Sequence, residues 1–204
     1  MSVRVKVCGI TRIEDAMSAI KYGADAIGFV FWPKSPRYIS PEQARQIVEE
    51  IPAFISIVGV YVDPALEWVE ETTQVANLSL HQFHGDESPE FCEQFSKPYI
   101  KAIRVREGLD LLQYAQQYQN AKGLLLDAYT ANIPGGTGHV FNWNLIPQNL
   151  QLPLILSGGL HAGNIVQAIK QTQPWAVDVS SGVEATKGIK DKKKIIAFMQ
   201  GVKK

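Results

Sequence analysis

Val3-Arg4-Val5-Lys6-Val7-Cys8-Gly9-Ile10-Thr11 stands near the start of the sequence. Residues 3–8 form a short β-branched run that reads as a strand, and Thr11 with Glu14 has the spacing of a helix-starting capping box. The turn between them is the deciding feature. A doubly wound nucleotide-binding sheet would carry Gly-x-Gly-x-x-Gly there, and Cys8-Gly9-Ile10-Thr11 stands in its place. Seven more runs follow at 26–31, 55–61, 78–83, 99–104, 123–127, 154–157 and 176–180, separated by segments of helical period. Several lack polar alternation, as strands buried on both faces do. Eight βα units predict an α/β fold, a closed (β/α)₈ TIM barrel filling residues 1–204 as one domain with about eight outer helices.

Helix-start signals agree with this order. Ser40 with Gln43 repeats the capping-box spacing, and Pro41, Pro64 and Pro89 stand where a first helical residue belongs. Ala44, Ile47, Val48 and Ile51 share one helical face, as do Ile195, Phe198, Met199 and Val202, and both stripes are expected to pack on the barrel. Residues 129–138, rich in Pro and Gly, read as a βα loop.

With 46% hydrophobic and 9% aromatic residues, 204 residues can bury a core without disulfides or metals. Formal net charge is zero with Lys and Arg scattered, which excludes a basic footprint for nucleic acid or an anionic membrane. No run approaches a membrane span, and residues 1–10 do not read as a signal segment, so a cytoplasmic protein is expected. Cys8 and Cys92 are too few for a disulfide framework, and no ligand spacing predicts a metal site. Cys92, between Phe91 and Phe95, reads as a small buried hydrophobe.

In a barrel the strands' C-terminal ends carry the active site. Here they present Cys8, then Arg37 in the loop after strand two, then Gln82-Phe83-His84-Gly85, Lys101 to Arg104, Asp127, Ser157-Gly158-Gly159, and Asp178-Val179-Ser180-Ser181-Gly182. The last two groups suit phosphate, because glycines let backbone N–H groups approach an anion and a following helix start adds its dipole. Either loop alone reads equally as a turn; two on successive strands favour phosphate. Cys8 and Asp127 suit an acid–base pair for isomerising a sugar, where one group takes a carbon-bound proton and another protonates an oxygen. Backbone donors beside Cys8 would favour its thiolate, and the apolar run 124–126 would keep Asp127 protonated. Taken singly, Cys8 also reads as a core residue and Asp127 as a cap.

Lys6-Val7-Cys8-Gly9-Ile10-Thr11 resembles the opening signature of phosphoribosylanthranilate isomerases. The likeness runs on through Gly23 to Phe31, Lys34-Ser35-Pro36-Arg37-Tyr38, Lys101 to Val105, Leu126-Asp127-Ala128, Gly135-Gly136-Thr137-Gly138, Ser157-Gly158-Gly159-Leu160 and Val177 to Glu184. It implies a cofactor-independent Amadori-type isomerisation in tryptophan biosynthesis. Cys8 would be the base at ribose C2′ and Asp127 the acid that opens the furanose ring. Arg37 would hold the anthranilate carboxylate, in the bidentate manner suited to guanidinium, with a solvated loop charge as the alternative. Gly158, Gly159, Ser180 and Ser181 would bind phosphate, and Asp178 a ribose hydroxyl. Gln82 and His84 are assigned to the substrate pocket, His84 with a structural hydrogen bond as the alternative. His81 and His161 carry no functional signal.

Two positions depart from the family pattern. Phe83 stands for the usual Leu, a packing change, and His139 for the common Lys, which would retune loop closure over an anionic substrate. The alternatives are another phosphate-binding barrel, such as a metal-dependent sugar-phosphate epimerase or an indole-glycerol-phosphate synthase, and a non-catalytic binding barrel. A thiol and a single carboxylate, rather than His and carboxylate ligands, argue against the metal-dependent epimerase. The only expected partner is the small phosphorylated substrate, and the chain is expected to be a monomer, with a homodimer as the alternative.

Overall fold

The computed structural model describes residues 2–128 and 141–204. Eight parallel strands close on themselves: β1 (Arg4–Cys8), β2 (Ala26–Val30), β3 (Ser56–Tyr61), β4 (Leu80–Phe83), β5 (Tyr99–Val105), β6 (Leu124–Ala128), β7 (Leu154–Leu156) and β8 (Ala176–Val179). Closure comes from β8 pairing with β1, in the register that sets Lys6 beside Asp178. Each strand lies within a few residues of the run that predicted it.

Because successive side chains leave opposite faces of a strand, each strand serves two cores. Outward residues such as Val5, Val7, Ile27, Phe29, Leu124, Leu126 and Val177 pack with the helices. Inward residues form separate layers: Ile100, Ala102, Leu125, Ile155 and Ala176 make one, and Cys8, Val30 and Val60 another. Phe83 points outward and is fully buried among Tyr61, Phe91 and Phe95, with ring centroids 5.9, 5.8 and 5.7 Å away, so its departure from the family pattern is a matter of packing. His81 shares that aromatic layer; its Nε2 lies 2.8 Å from Thr73 Oγ1, and burial brings its pKa down to about 4.

Seven α-helices surround the barrel among the described residues: α1 (Ile13–Tyr22), α2 (Pro41–Val48), α3 (Leu66–Val75), α4 (Pro89–Glu93), α5 (Leu111–Gln117), α6 (Ile165–Thr172) and α7 (Lys192–Val202). Between β6 and β7 the described chain forms a 3₁₀ turn, Trp143–Leu145, where an eighth helix was expected. Residues 129–140, which include Gly135 to Gly138 and His139, lie outside the described residues. Ser40 and Gln43 form their reciprocal cap, and Pro41 and Pro89 open α2 and α4. Thr11 does not cap α1: Arg12 holds that position, and the Thr11 hydroxyl instead donates to the Gly188 carbonyl. Pro64 precedes the cap residue Ala65 rather than starting α3. Ile51 lies beyond α2, although it still packs on the core. Cys92 is fully buried on α4, and burial raises its thiol to about 12. None of the described helices is long and apolar enough to cross a membrane.

Outside the barrel wall, Lys101 Nζ donates to Glu87 Oε2 and to the Gly85 carbonyl, both at 2.7 Å, in a nearly dry space. Lys101→Met is expected to lower stability by about 3–5 kcal/mol, because it leaves the Glu87 charge buried without its cation. The check is a lower urea midpoint at unchanged slope, and adding Glu87→Gln should restore much of the loss.

Candidate active site

Cys8 ends β1 with its side chain inside the barrel and 7% exposed. The sulfur fits because β2 carries Gly28 opposite it; a Cβ there would approach Sγ to 2.9 Å and Lys6 Cε to 3.1 Å. Lys6, two residues earlier on the same inward face, donates to Asp178 Oδ1 at 2.7 Å. The expectation that backbone donors favour the thiolate is not met. The Gly9 and Ile10 N–H groups are spent on the Gly28 carbonyl, at 2.9 and 3.0 Å, so burial dominates and pushes the Cys8 thiol up. Lys6 and Lys190 pull against that push, while Asp178 adds to it. For Lys6, burial works against the ammonium, but Asp178 and then Cys8 outweigh it and the pKa is raised.

Asp127, 3% exposed, stands near the end of β6 beside Arg104 of β5. Its Oδ1 accepts from the Ala128 N–H at 2.8 Å, and its Oδ2 lies 3.1 Å from His84 Nε2. On the far side of the ring, Gln82 Nε2 lies 3.0 Å from His84 Nδ1. An amide donor at Nδ1 assigns the ring proton to Nε2, so His84 donates to Asp127. His84 is therefore the middle of a hydrogen-bonded chain, Gln82–His84–Asp127, so it makes a structural hydrogen bond at the same strand ends as Asp127. Gly158, at φ +85°, sits against the same carboxylate; a Cβ would lie 2.9 Å from Asp127 Oδ1 and 2.6 Å from Ala128 N.

Arg37 is 9% exposed and not a solvated loop charge. Its Nε and Nη2 donate to the two oxygens of Glu184 at 2.7 and 2.8 Å, a bidentate pair. Glu184 Oε1 also accepts from Lys190 Nζ at 3.0 Å and from Gly188 N at 3.2 Å. Burial opposes the Glu184 charge, yet Arg37 and Lys190 hold this carboxyl below its ordinary value. Burial also brings Lys190 below the ordinary lysine value. Gly9 makes room for the cluster at φ +72°, since a Cβ would strike Arg37 Cδ at 2.5 Å.

The loops after β7 and β8 touch, for Gly182 packs on the Leu160 carbonyl with no space for a side chain. Gly158 and Gly159 both take positive φ, and Asn164 Nδ2 donates to the Gly159 carbonyl at 2.9 Å. Among the described residues, the backbone N–H groups of Gly159 and Ser181 have no acceptor. Ser180 is fixed by Lys190 Nζ, 3.2 Å from its carbonyl. The expected helix dipole is reduced: α6 starts only at Ile165, and a single 3₁₀ turn, Ser181–Val183, follows β8. Asp178 Oδ2 accepts weakly from Ser157 Oγ at 3.4 Å, while Oδ1 holds Lys6.

Two clusters thus form at one end of the barrel. Lys6, Cys8, Asp178, Arg37, Glu184 and Lys190 make the first; Gln82, His84, Asp127 and Gly158 make the second. Around the rim, the loops after β7 and β8 lie between the strand bearing Asp127 and the strand bearing Cys8. Lys6, Glu184 and Lys190 were not singled out from sequence. Glu184 ends the stretch Val177 to Glu184, and Lys190 follows on a hairpin, β9 (Glu184–Thr186) with β10 (Ile189–Lys190), that no local pattern predicts. Among the described residues no three His, Cys, Asp or Glu side chains are placed to hold a metal ion. A cavity of about 780 Å³ between Arg4, Trp143, Leu154 and Trp175 opens at the opposite end of the barrel and contains none of these groups.

Known proteins answer to this arrangement. The family model "N-(5'phosphoribosyl)anthranilate (PRA) isomerase" matches residues 5–201. The N-(5'-phosphoribosyl)anthranilate isomerase of Nitrosospira multiformis is 69% identical over 99% of this chain and 97% of its own. A crystal structure of a phosphoribosyl anthranilate isomerase in complex with reduced 1-(o-carboxyphenylamino)-1-deoxyribulose 5-phosphate superposes with a TM-score of 0.88 at 42% identity, covering 98% of each chain. A structure of mutually generated monomers of the dimeric phosphoribosylanthranilate isomerase from Thermotoga maritima gives 0.85 at 39% identity, again over 98% of each. With a family match spanning nearly the whole barrel and relatives this similar over their full length, the chain belongs to the N-(5'-phosphoribosyl)anthranilate isomerase family.

Proposed function

We propose that this chain converts N-(5'-phosphoribosyl)anthranilate to 1-(2-carboxyphenylamino)-1-deoxyribulose 5-phosphate, the isomerisation step of tryptophan biosynthesis. The observation that carries the reading is the rim order: a carboxyl on β6, two glycine-bearing loops after β7 and β8, and a thiol on β1. A sugar phosphate seated on those loops has an acid on one side and a base on the other. The reduced product-like compound bound by a relative supports that choice of substrate.

In this reading Asp127 protonates the furanose ring oxygen and the ring opens to an iminium. The Cys8 thiolate removes the C2′ proton, leaving an enolamine that tautomerises to the amino ketone. The reaction is an isomerisation, redox-neutral within the substrate, and calls on no cofactor. Gly158, Gly159, Ser180 and Ser181 bind the phosphate, and Asp178 meets a ribose hydroxyl with the lone pairs Lys6 leaves free. Gln82 and His84 serve the pocket by fixing the Asp127 carboxyl. Arg37 meets the anthranilate carboxylate through Nη1, which has no partner among the described residues.

The test is conversion of freshly generated N-(5'-phosphoribosyl)anthranilate by the purified protein. Product formation supports the reading, and saturable binding without product overturns it. Arg37→Lys is expected to raise KM about 10–100-fold with a smaller change in kcat, because an ammonium can hold Glu184 or the substrate but lacks the planar fork that serves both. A kcat loss at unchanged KM would remove Arg37 from substrate binding. A biosynthetic enzyme of this kind works in the cytoplasm. The expectation of a monomer meets its alternative in the dimeric Thermotoga relative, and sedimentation separates the two.

A further inference from the structure

We propose that Lys6 is the positioning residue of the thiol: pinned by Asp178 at 2.7 Å and crowded with Cys8 over the gap left by Gly28, it supplies the positive charge that opposes burial and favours the Cys8 thiolate. Its consequence for turnover rests on the reading of Cys8 as base.

The argument starts from what Cys8 lacks. A buried thiol ionises only where charge or hydrogen bonds replace lost water. The adjacent N–H groups are committed to β2, and the inward neighbours Gly28, Val30 and Val60 are uncharged. The charged groups facing the sulfur are Lys6 on its own strand, Asp178 on β8, Lys190 on β10 and Arg37 after β2. Two of the three cations are committed elsewhere, since Arg37 and Lys190 share the Glu184 carboxylate. Lys6 is different, because its ion-pair partner, Asp178, is also the anion that faces the thiol. Lys6 thus stands between two acids, a carboxyl and a thiol, and each competes for its charge. Gly28 is what brings the ammonium stem and the sulfur to the same point; any larger residue would part them.

Lys6 and Asp178 then act on Cys8 with opposite sign, which a merely structural ion pair would not do. The probe is the rate at which iodoacetamide alkylates Cys8 at one fixed pH below the thiol's titration, read by peptide mapping, since that rate follows the thiolate fraction. Lys6→Gln, which keeps a donor for Asp178 but no charge, is expected to lower the rate about tenfold or more, the effect of removing a neighbouring charge. Lys6→Arg should restore most of it. Asp178→Asn should raise the rate, because the thiolate becomes the sole counter-charge of Lys6. In turnover, the acid limb of kcat/KM moves to higher pH in Lys6→Gln and to lower pH in Asp178→Asn.

An unchanged rate in Lys6→Gln, or a fall in Asp178→Asn, overturns the proposal. Should Lys6→Gln fail to fold, Asp178→Asn and Lys6→Arg decide it by their directions alone. Alkylation needs no substrate, so the two readings fail separately. A parent protein that isomerises the substrate but shows no such pattern sinks the role of Lys6. A parent with the pattern and no turnover sinks the proposed reaction instead.

Discussion

Cys8→Ala is expected to lower kcat by about 10²–10⁴-fold while KM moves little, because a base acting on a proton in flight contributes to the transition state and not to ground-state binding. The structure makes this a clean experiment. Cys8 is a small member of an inward layer with Val30 and Val60, so losing its sulfur should cost only about 1 kcal/mol of stability. The ion pair between Lys6 and Asp178 does not run through Sγ and stays intact. Cys8→Ser serves as the companion, since a hydroxyl of similar size cannot ionise in a site that already disfavours a thiolate. Steady-state kinetics alongside a denaturant midpoint separates the outcomes. A large rise in KM with unchanged kcat would make Cys8 a binding residue, and retained turnover would move the base elsewhere.

Asp127→Asn is expected to lower kcat by a similar factor, about 10²–10⁴, because the amide keeps the shape and loses the transferable proton. Its oxygen can still accept from the Ala128 N–H or from His84 Nε2, so the fold should be nearly undisturbed. Asp127→Ala differs in a way that can be read off. It leaves the Ala128 and His84 donors without their acceptor, at about 1–3 kcal/mol for each buried group. Equal losses of kcat in Asn and Ala, with stability falling only in Ala, fit a proton donor that also organises its surroundings. A kcat loss in Ala that Asn restores would mean the carboxyl only positions the loop.

Much of the scaffold follows from local pattern. The eight strands lie where the short β-branched runs stand, because a strand's hydrophobicity is a property of consecutive residues. Ser40 with Gln43 caps α2 as the spacing predicts, yet the same spacing at Thr11 and Glu14 does not, since the hairpin at Gly188 captures the Thr11 hydroxyl. A capping box expresses a preference of a few residues, and a tertiary partner can outbid it. The backbone donors expected to favour the Cys8 thiolate are lost for a similar reason: the N–H groups after it look free in the sequence, and barrel closure commits them to Gly28.

Local pattern alone sets the order of βα units, the barrel, and the residues at or next to each strand end, including Cys8, Asp127, Gly158 and Ser180. These depend on period and position along the chain. Tertiary structure alone decided who faces whom. Lys6 meets Asp178 across 172 residues and Arg37 meets Glu184 across 147, because β8 closes on β1 and brings the hairpin after it against the loop after β2. His84 likewise reaches Asp127 over 43 residues, turning a lone histidine into the partner of a carboxyl. Charge pairs of that range leave no periodic trace, since either partner reads locally as an ordinary polar residue at a strand end. Closing the barrel removes the water that would have screened them, and only then does each buried charge require the other.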